Sequence, residues 1–191
     1  MRRLGTAAAA LVLAGAGLAG TAQAAGAATG PVGKAAAPMV CSTVWGSGDK
    51  SATDSDGQPL KNIKTSRSAC YDRMVFDISG AKGKLGYHVG YVDKFHQDGS
   101  GELIPVNGRA ILQIYVSAPS YDGATGKQTY AGRAGKPLPG VNLTGYKTFK
   151  DTKFGASFEG QTQVGLGLRA KLPFRVLQSG DQLIVDVAHS W

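Results

Sequence analysis

Cysteine, histidine and acidic side chains are all scarce in this sequence, and each shortage removes a class of chemistry. The only cysteines are Cys41 and Cys70, so there is no C-x-x-C pair that could act as a reactive dithiol. The three histidines, His88, His96 and His189, are scattered. Neither Ser100 nor Ser117 stands in a strand-to-helix elbow that would mark a nucleophile. His88, His96 and Asp93 are close along the chain, but a strand sends odd and even positions to opposite faces. That geometry separates His88 from Asp93 unless a turn intervenes. Asp54-x-Asp56-Gly57 matches a fragment of a calcium loop, yet the first ligand position holds Ala52 and the twelfth holds Ile63 in place of glutamate. A simple Asp-Gly turn accounts for it. Site residues are therefore expected as none for catalysis, none for cofactors and none for metals.

A long apolar run is also missing. Residues 7–19 are apolar but small, mostly Ala, Leu and Gly, and fall short of the roughly 20 residues that cross a bilayer. Arg2 and Arg3 precede them and Ala22-Gln23-Ala24 follows, which is the pattern of an export signal with its cleavage site. A signal peptide over residues 1–24 is expected. A lipoprotein would need a cysteine directly after the apolar core, whereas the first cysteine is Cys41. Residues 25–40 begin AGAATGPVGKAAA, too poor in large apolar side chains to order themselves, and are expected to form a disordered linker. The folded part then covers residues 41–191, the usual size of one domain. No transmembrane anchor is expected, and the mature chain is placed outside the cytoplasm.

Acidic residues are outnumbered, 13 against 21 Lys and Arg, for a formal charge of +8. Removing Arg2 and Arg3 with the signal takes that to +6. An exported basic chain meets wall polymers, lipid headgroups and extracellular nucleic acid as its nonspecific anionic surfaces. The same charge also serves solubility alone. Nothing marks a specific nucleic-acid reader.

In an oxidising compartment an isolated cysteine pair closes on itself, so Cys41 and Cys70 are expected to form a disulfide. The enclosed stretch carries Gly46-Ser47-Gly48-Asp49-Lys50-Ser51 and Asp54-Ser55-Asp56-Gly57. It has little to bury, and the bond would restrain it.

From Arg73 onward the dominant period is two, which predicts strands. Met74, Phe76 and Ile78 share one face. Tyr87, Val89 and Tyr91 share another. Ala110, Leu112, Ile114 and Val116 lie opposite Ile111, Gln113 and Tyr115. Val164, Leu166, Leu168, Ala170 and Leu172 lie opposite Arg169 and Lys171, and a last run holds Leu183, Val185 and Val187. Turn residues fall between the runs at Asp98-Gly99-Ser100-Gly101, Asn107-Gly108, Asp122-Gly123 and Ser179-Gly180-Asp181. Of these, Asn107-Gly108 is the strongest hairpin signal. No stretch after Cys41 keeps a helical period. The fold class expected is all-β, an antiparallel β-sandwich or barrel.

Residues 120–140 break the rhythm. A loop of this length is either functional or an unselected insertion. Tyr121 and Tyr130, set among Lys127, Arg133 and Lys136, are candidates to contact sugar or an anionic polymer. Arg169, Lys171 and Arg175 are candidates for a basic binding face. Asp72 and Arg73, leaving the Cys70 anchor, suit a structural hydrogen-bonding corner. Asp186, on the polar face of the last strand, either partners a nearby arginine or is solvated.

Several ordered blocks resemble the AMIN-like domain of secreted actinobacterial proteins. They are Tyr71-Asp72-Arg73-Met74-Val75-Phe76, the Tyr87-x-Val-x-Tyr-Val run, Val106-Asn107-Gly108-Arg109-Ala110-x-Leu112, the stretch from Arg169-Ala170-Lys171 to Arg175-Val176, and Leu183-Ile184-Val185-Asp186-Val187-Ala188-His189. The resemblance spans residues 45–191 and implies a single AMIN-like β-sandwich. The namesake AMIN domain targets cell-wall amidases and secretin components to the envelope by binding peptidoglycan. The resemblance supplies no catalytic residues.

Two function classes follow. One is a non-enzymatic module that binds cell-wall polymer or another envelope protein through the basic face and the tyrosines, with no cofactor. The alternative is a secreted protein-binding module, such as a hydrolase inhibitor presenting the 120–140 loop.

Overall fold

Alternation of apolar and polar side chains dictates two sheets that bury one face each. The computed structural model describes Cys41 and residues 44–191; the expected signal peptide (1–24) and linker (25–40) lie outside the described residues. Nine strands form among them: β1 (Lys50–Ala52), β2 (Asn62–Arg67), β3 (Tyr71–Asp77), β4 (Tyr87–Val92), β5 (Ala110–Val116), β6 (Phe149–Phe158), β7 (Gln161–Leu168), β8 (Phe174–Ser179) and β9 (Gln182–Ala188). A five-stranded sheet has the order β1-β4-β5-β7-β6 and a four-stranded sheet the order β2-β3-β9-β8. Every pairing is antiparallel. The two sheets pack as a β-sandwich.

The inner faces follow the sequence period. Met74 and Phe76 of β3 and Leu183, Val185 and Val187 of β9 meet Leu112, Ile114 and Val116 of β5 and Val164, Leu166 and Leu168 of β7 in one apolar cluster. Burying a side chain of this kind contributes about 1.5–3 kcal/mol, so these rows are the main favourable term in folding. Among the described residues no buried side-chain nitrogen or oxygen lacks a hydrogen-bond partner.

Two expectations need correction, and one strand was not legible in the sequence. Asn107-Gly108 is not a two-residue hairpin turn, because β5 pairs with the preceding β4 across a long connection, residues 93–109, and the dipeptide lies at the far end of it. The dipeptide instead crosses over β7. A Cβ on Gly167 would lie 1.9 Å from the Asn107 carbonyl oxygen, and one on Gly108 would lie 2.7 Å from the Leu168 carbonyl oxygen. Glycine is needed at both places for this close approach. The run from Val164 to Leu172 is not one strand either, since β7 ends at Leu168 and Arg169 to Pro173 form a connection. Finally, β6 carried no readable period, because register shifts at Phe149/Asp151 and Phe154/Ser157 break its alternation.

The outer face of the five-stranded sheet is covered locally. Phe95 is fully buried, and its ring would lie 2.9 Å from a Cβ on Gly165. A bridge between His96 and Leu103 spans the Asp98-Gly99-Ser100-Gly101 turn. The segment 93–108 is thereby laid across β7 and delivers Gly108 and Arg109 to the end of the sheet.

Candidate functional site

Three polar arrangements stand out from the β framework. The first lies on the outer face of the four-stranded sheet. Cross-strand register places Arg73 opposite Asp186 and Asp186 opposite Arg175. Arg73 donates through Nε to Asp186 Oδ1 at 2.7 Å and through Nη2 to Oδ2 at 3.0 Å. Arg175 Nε donates to Oδ2 at 2.9 Å. The carboxylate is completely covered by the two guanidiniums, which remain about a third exposed or less. The hydrogen bond to Asp186 raises the Arg73 pKa above its ordinary value, against desolvation. Aromatic rings extend the row: the Arg175 guanidinium lies 4.3 Å from the Trp45 ring centroid and 5.3 Å from that of Tyr71. Of the two sequence readings for Asp186, the arginine partner holds.

The second arrangement is the corner around Asp72, whose carboxylate is buried on the inner side of β3. Its Oδ2 accepts from the backbone amides of Thr148 (2.6 Å) and Phe149 (3.2 Å). Its Oδ1 faces His189 Nε2 at 3.0 Å. The other ring nitrogen, Nδ1, faces the Ala69 carbonyl at 3.0 Å. Both nitrogens are thus occupied, and the contact is a tie between the start of β3, the start of β6 and the end of the chain after β9. An adjacent recess of about 320 Å³ is lined by Arg67, Ser68, Lys147 and His189.

The third is a cleft where β4 ends and β5 begins. About 320 Å³ of space is bounded by Tyr91, Val92, Asp93, Arg109, Ile111 and Lys171, among others. Tyr91 holds one wall in place. Its hydroxyl donates to the Leu172 carbonyl at 2.8 Å and accepts from the Leu172 amide at 2.9 Å. Burial pushes the Tyr91 pKa up to about 12, against the lowering effect of the hydrogen bond with Leu172. Lys171 Nζ then lies 5.4 Å from the Tyr91 ring centroid. A Tyr91→Phe variant strips both bonds from the buried Leu172 backbone, and urea denaturation should show a loss of about 1–3 kcal/mol. A loss under about 0.5 kcal/mol would mean that water replaces the hydroxyl without cost.

The residues predicted from sequence fall into different settings. Tyr130 belongs to the core: it is 5% exposed, its ring lies 6.3 Å from that of Phe154, and its hydroxyl donates to the Pro139 carbonyl. Burial raises its pKa. It offers no exposed ring for stacking, so the sequence reading of Tyr130 is corrected. Tyr121 is half-buried and bridges to Gln128. Between them Asp122 caps the tip, accepting from the backbone and hydroxyl of Thr125 and from Ala124. These bonds, with Thr125 foremost, hold the Asp122 pKa below its ordinary value.

Of the three cations, Arg175 is engaged with Asp186 on the sheet face, while Arg169 and Lys171 lie in the β7–β8 connection. Arg169 Nη2 donates to the His189 carbonyl, and Lys171 accepts at its carbonyl from Trp191 Nε1. They are not one patch. Arg109 and Asp93 as cleft partners were missed, because only the crossing over β7 brings residue 109 beside residue 171.

The disulfide Cys41–Cys70 is formed. Such a bond points to an extracytoplasmic location. No helix among the described residues is long and apolar enough to cross a membrane. Among the described residues no group of three His, Cys, Asp or Glu side chains is arranged to hold a metal ion. His88 faces Asp49 at 3.7 Å on the surface.

The AMIN-like domain family matches residues 58–189, and the chain belongs to that family. Comparison with curated proteins and with solved structures returned no match.

Proposed function

We propose that this protein is an exported, non-enzymatic accessory module that docks on anionic polymer of the cell envelope. The observation that carries the reading is the state of its cations. Among the described residues, ion pairs with carboxylates occupy Arg73, Arg175 and Lys153. Lys94, Lys147 and Lys150 are exposed and make no such pair. Cations left without intramolecular partners are available to an external polyanion, whereas paired ones must first give up a partner. The non-catalytic part of the reading is supported by His189, whose ring nitrogens are both engaged.

Cosedimentation of the purified mature protein with isolated cell walls tests the proposal, using walls with and without their anionic polymers across a salt series. Retention that disappears with the polymers or with salt is the expected result, since exposed charge contacts are screened within about 8 Å at physiological ionic strength. No retention under any condition overturns it.

One observation favours the protein-binding reading. The 120–140 loop, which no disulfide braces, is nonetheless pinned by buried Tyr130 and Leu138 and by bonds from Gly135 to the Phe154 carbonyl and from Phe154 to the Lys136 carbonyl. Its tip could therefore be presented to a partner in a fixed shape. Survival of the loop under limited proteolysis, together with a failure of wall retention, would move that reading ahead.

A further inference from the structure

We propose that the cleft between Tyr91, Asp93, Arg109 and Lys171 binds a small zwitterion, a free amino acid or the end of a short peptide that carries both a carboxylate and an ammonium. The inference goes beyond the docking reading, because it concerns a cleft that carries charges of both signs.

The argument begins with charges that the protein leaves unmatched. Asp93, Arg109 and Lys171 border a single cleft, and none of the three side chains makes an ion pair or hydrogen bond with any described residue. The Lys171 ammonium lies over the face of Tyr91. Two cations beside one carboxylate therefore face a common space with their bonding capacity free. A pure polyanion entering there would set negative charge against Asp93, and a pure cation would set positive charge against Arg109 and Lys171. A ligand with both signs satisfies all three groups, and like-charge contacts select against the others.

Shape adds to charge. Val92 and Ile111 are paired across β4 and β5 and are half-buried, which gives the cleft an apolar side beneath its charged rim. The volume, about 320 Å³, is at the lower end for ligand pockets. It suits one or two residues rather than a polymer chain. The rim is positioned from behind. The Arg109 amide donates to the Leu168 carbonyl at 2.8 Å, and the Tyr91 hydroxyl brackets Leu172 beside Lys171. The two cations are thus carried on backbone tied to β7 and β4, although they are far apart in sequence.

The test is a titration of isotopically labelled protein with alanyl-alanine, followed by the backbone amide signals of Val92, Arg109 and Ile111. N-acetylated and C-amidated alanyl-alanine serve as the two controls. Alanyl-alanine should shift these amides, and blocking either end should weaken binding by about fivefold or more, as expected for the loss of one charge contact. Asp93→Asn should remove the penalty for acetylation and keep that for amidation. Arg109→Ala and Lys171→Ala should do the reverse. All three positions are exposed, so these substitutions leave the fold intact. Equal binding of all three probes, or no shift with any of them, overturns the inference. Wall cosedimentation of the same protein separates the two readings. Lost dipeptide binding with intact wall retention overturns this inference alone, and the opposite pattern overturns wall docking alone.

Discussion

Replacing Asp72 with alanine is expected to lower the unfolding free energy by about 3–5 kcal/mol, the range for breaking a buried charged pair by removing one partner. The carboxylate is fully buried and satisfies the Thr148 and Phe149 amides together with His189. Alanine leaves two backbone donors and an imidazole facing a void. Each orphaned donor costs about 1–3 kcal/mol, and water entering from the recess beside Arg67 and Lys147 offsets part of that sum. Asp72→Asn separates charge from hydrogen bonding. Its carbonyl can still accept the backbone amides, and its amide group can donate to a neutral imidazole, so a loss of about 1–2 kcal/mol is expected. Urea denaturation with an unchanged slope gives both values. Because Phe149 opens β6 and Thr148 directly precedes it, their amides should also lose protection from hydrogen exchange before those of β5 and β7. An alanine variant within about 1 kcal/mol of the parent would mean that the corner contributes little beyond local order.

That corner also shows where sequence reading succeeds and where it stops. Asp72 and Arg73 were expected to be structural, and both are, but their partners lie far along the chain, at Thr148, Phe149 and His189 for Asp72 and at Asp186 for Arg73. Local sequence carries alternation and turn chemistry, and these were enough for the Met74-Phe76 and Leu112-Ile114-Val116 rows and for the Ser179-Gly180-Asp181 turn between β8 and β9. The other two-residue turn uses Glu159 and Gly160, both at positive φ (48° and 79°). Glutamate is an uncommon residue in that conformation, so the turn gave no sequence signal. The β6 strand was hidden by its bulges, and Tyr130 looked exposed only because polar residues surround it in sequence. Which residues share the cleft depends on strand order. The adjacency of β5 to β7, with Asn107-Gly108 crossing over β7, brings Arg109 towards Lys171, and no local pattern encodes that adjacency.

Reducing the disulfide, or replacing Cys41 and Cys70 with serine, should cost roughly 3–4 kcal/mol, the chain-entropy value for closing a loop of this length. The bond spans a sequence separation of 29. Much of the enclosed stretch before β2 holds no large buried side chain: Lys50 to Gln58 are exposed or half-buried, and only Pro59 and Leu60 go under. Apolar burial therefore restrains this part of the chain weakly, and the covalent tie restrains it instead. Release should be visible at Trp45, which packs edge-on against Tyr71 with centroids 5.9 Å apart and lies beneath Arg175. In a Trp191→Phe background, reduction is expected to red-shift the remaining tryptophan emission and to lower the urea midpoint. An unshifted midpoint would mean that the unfolded chain is already compact between the two cysteines. Cys70 also belongs to the Asp72 corner, since the His189 amide donates to its carbonyl at 2.9 Å and the Ser68 amide donates to the Tyr71 carbonyl. The two perturbations share these contacts. Reduction combined with Asp72→Ala should therefore cost less than the two losses added, by about 0.5–3 kcal/mol, as for residues coupled through one network. Strict additivity would instead separate the disulfide from the corner and leave unfolded-state entropy as its whole contribution.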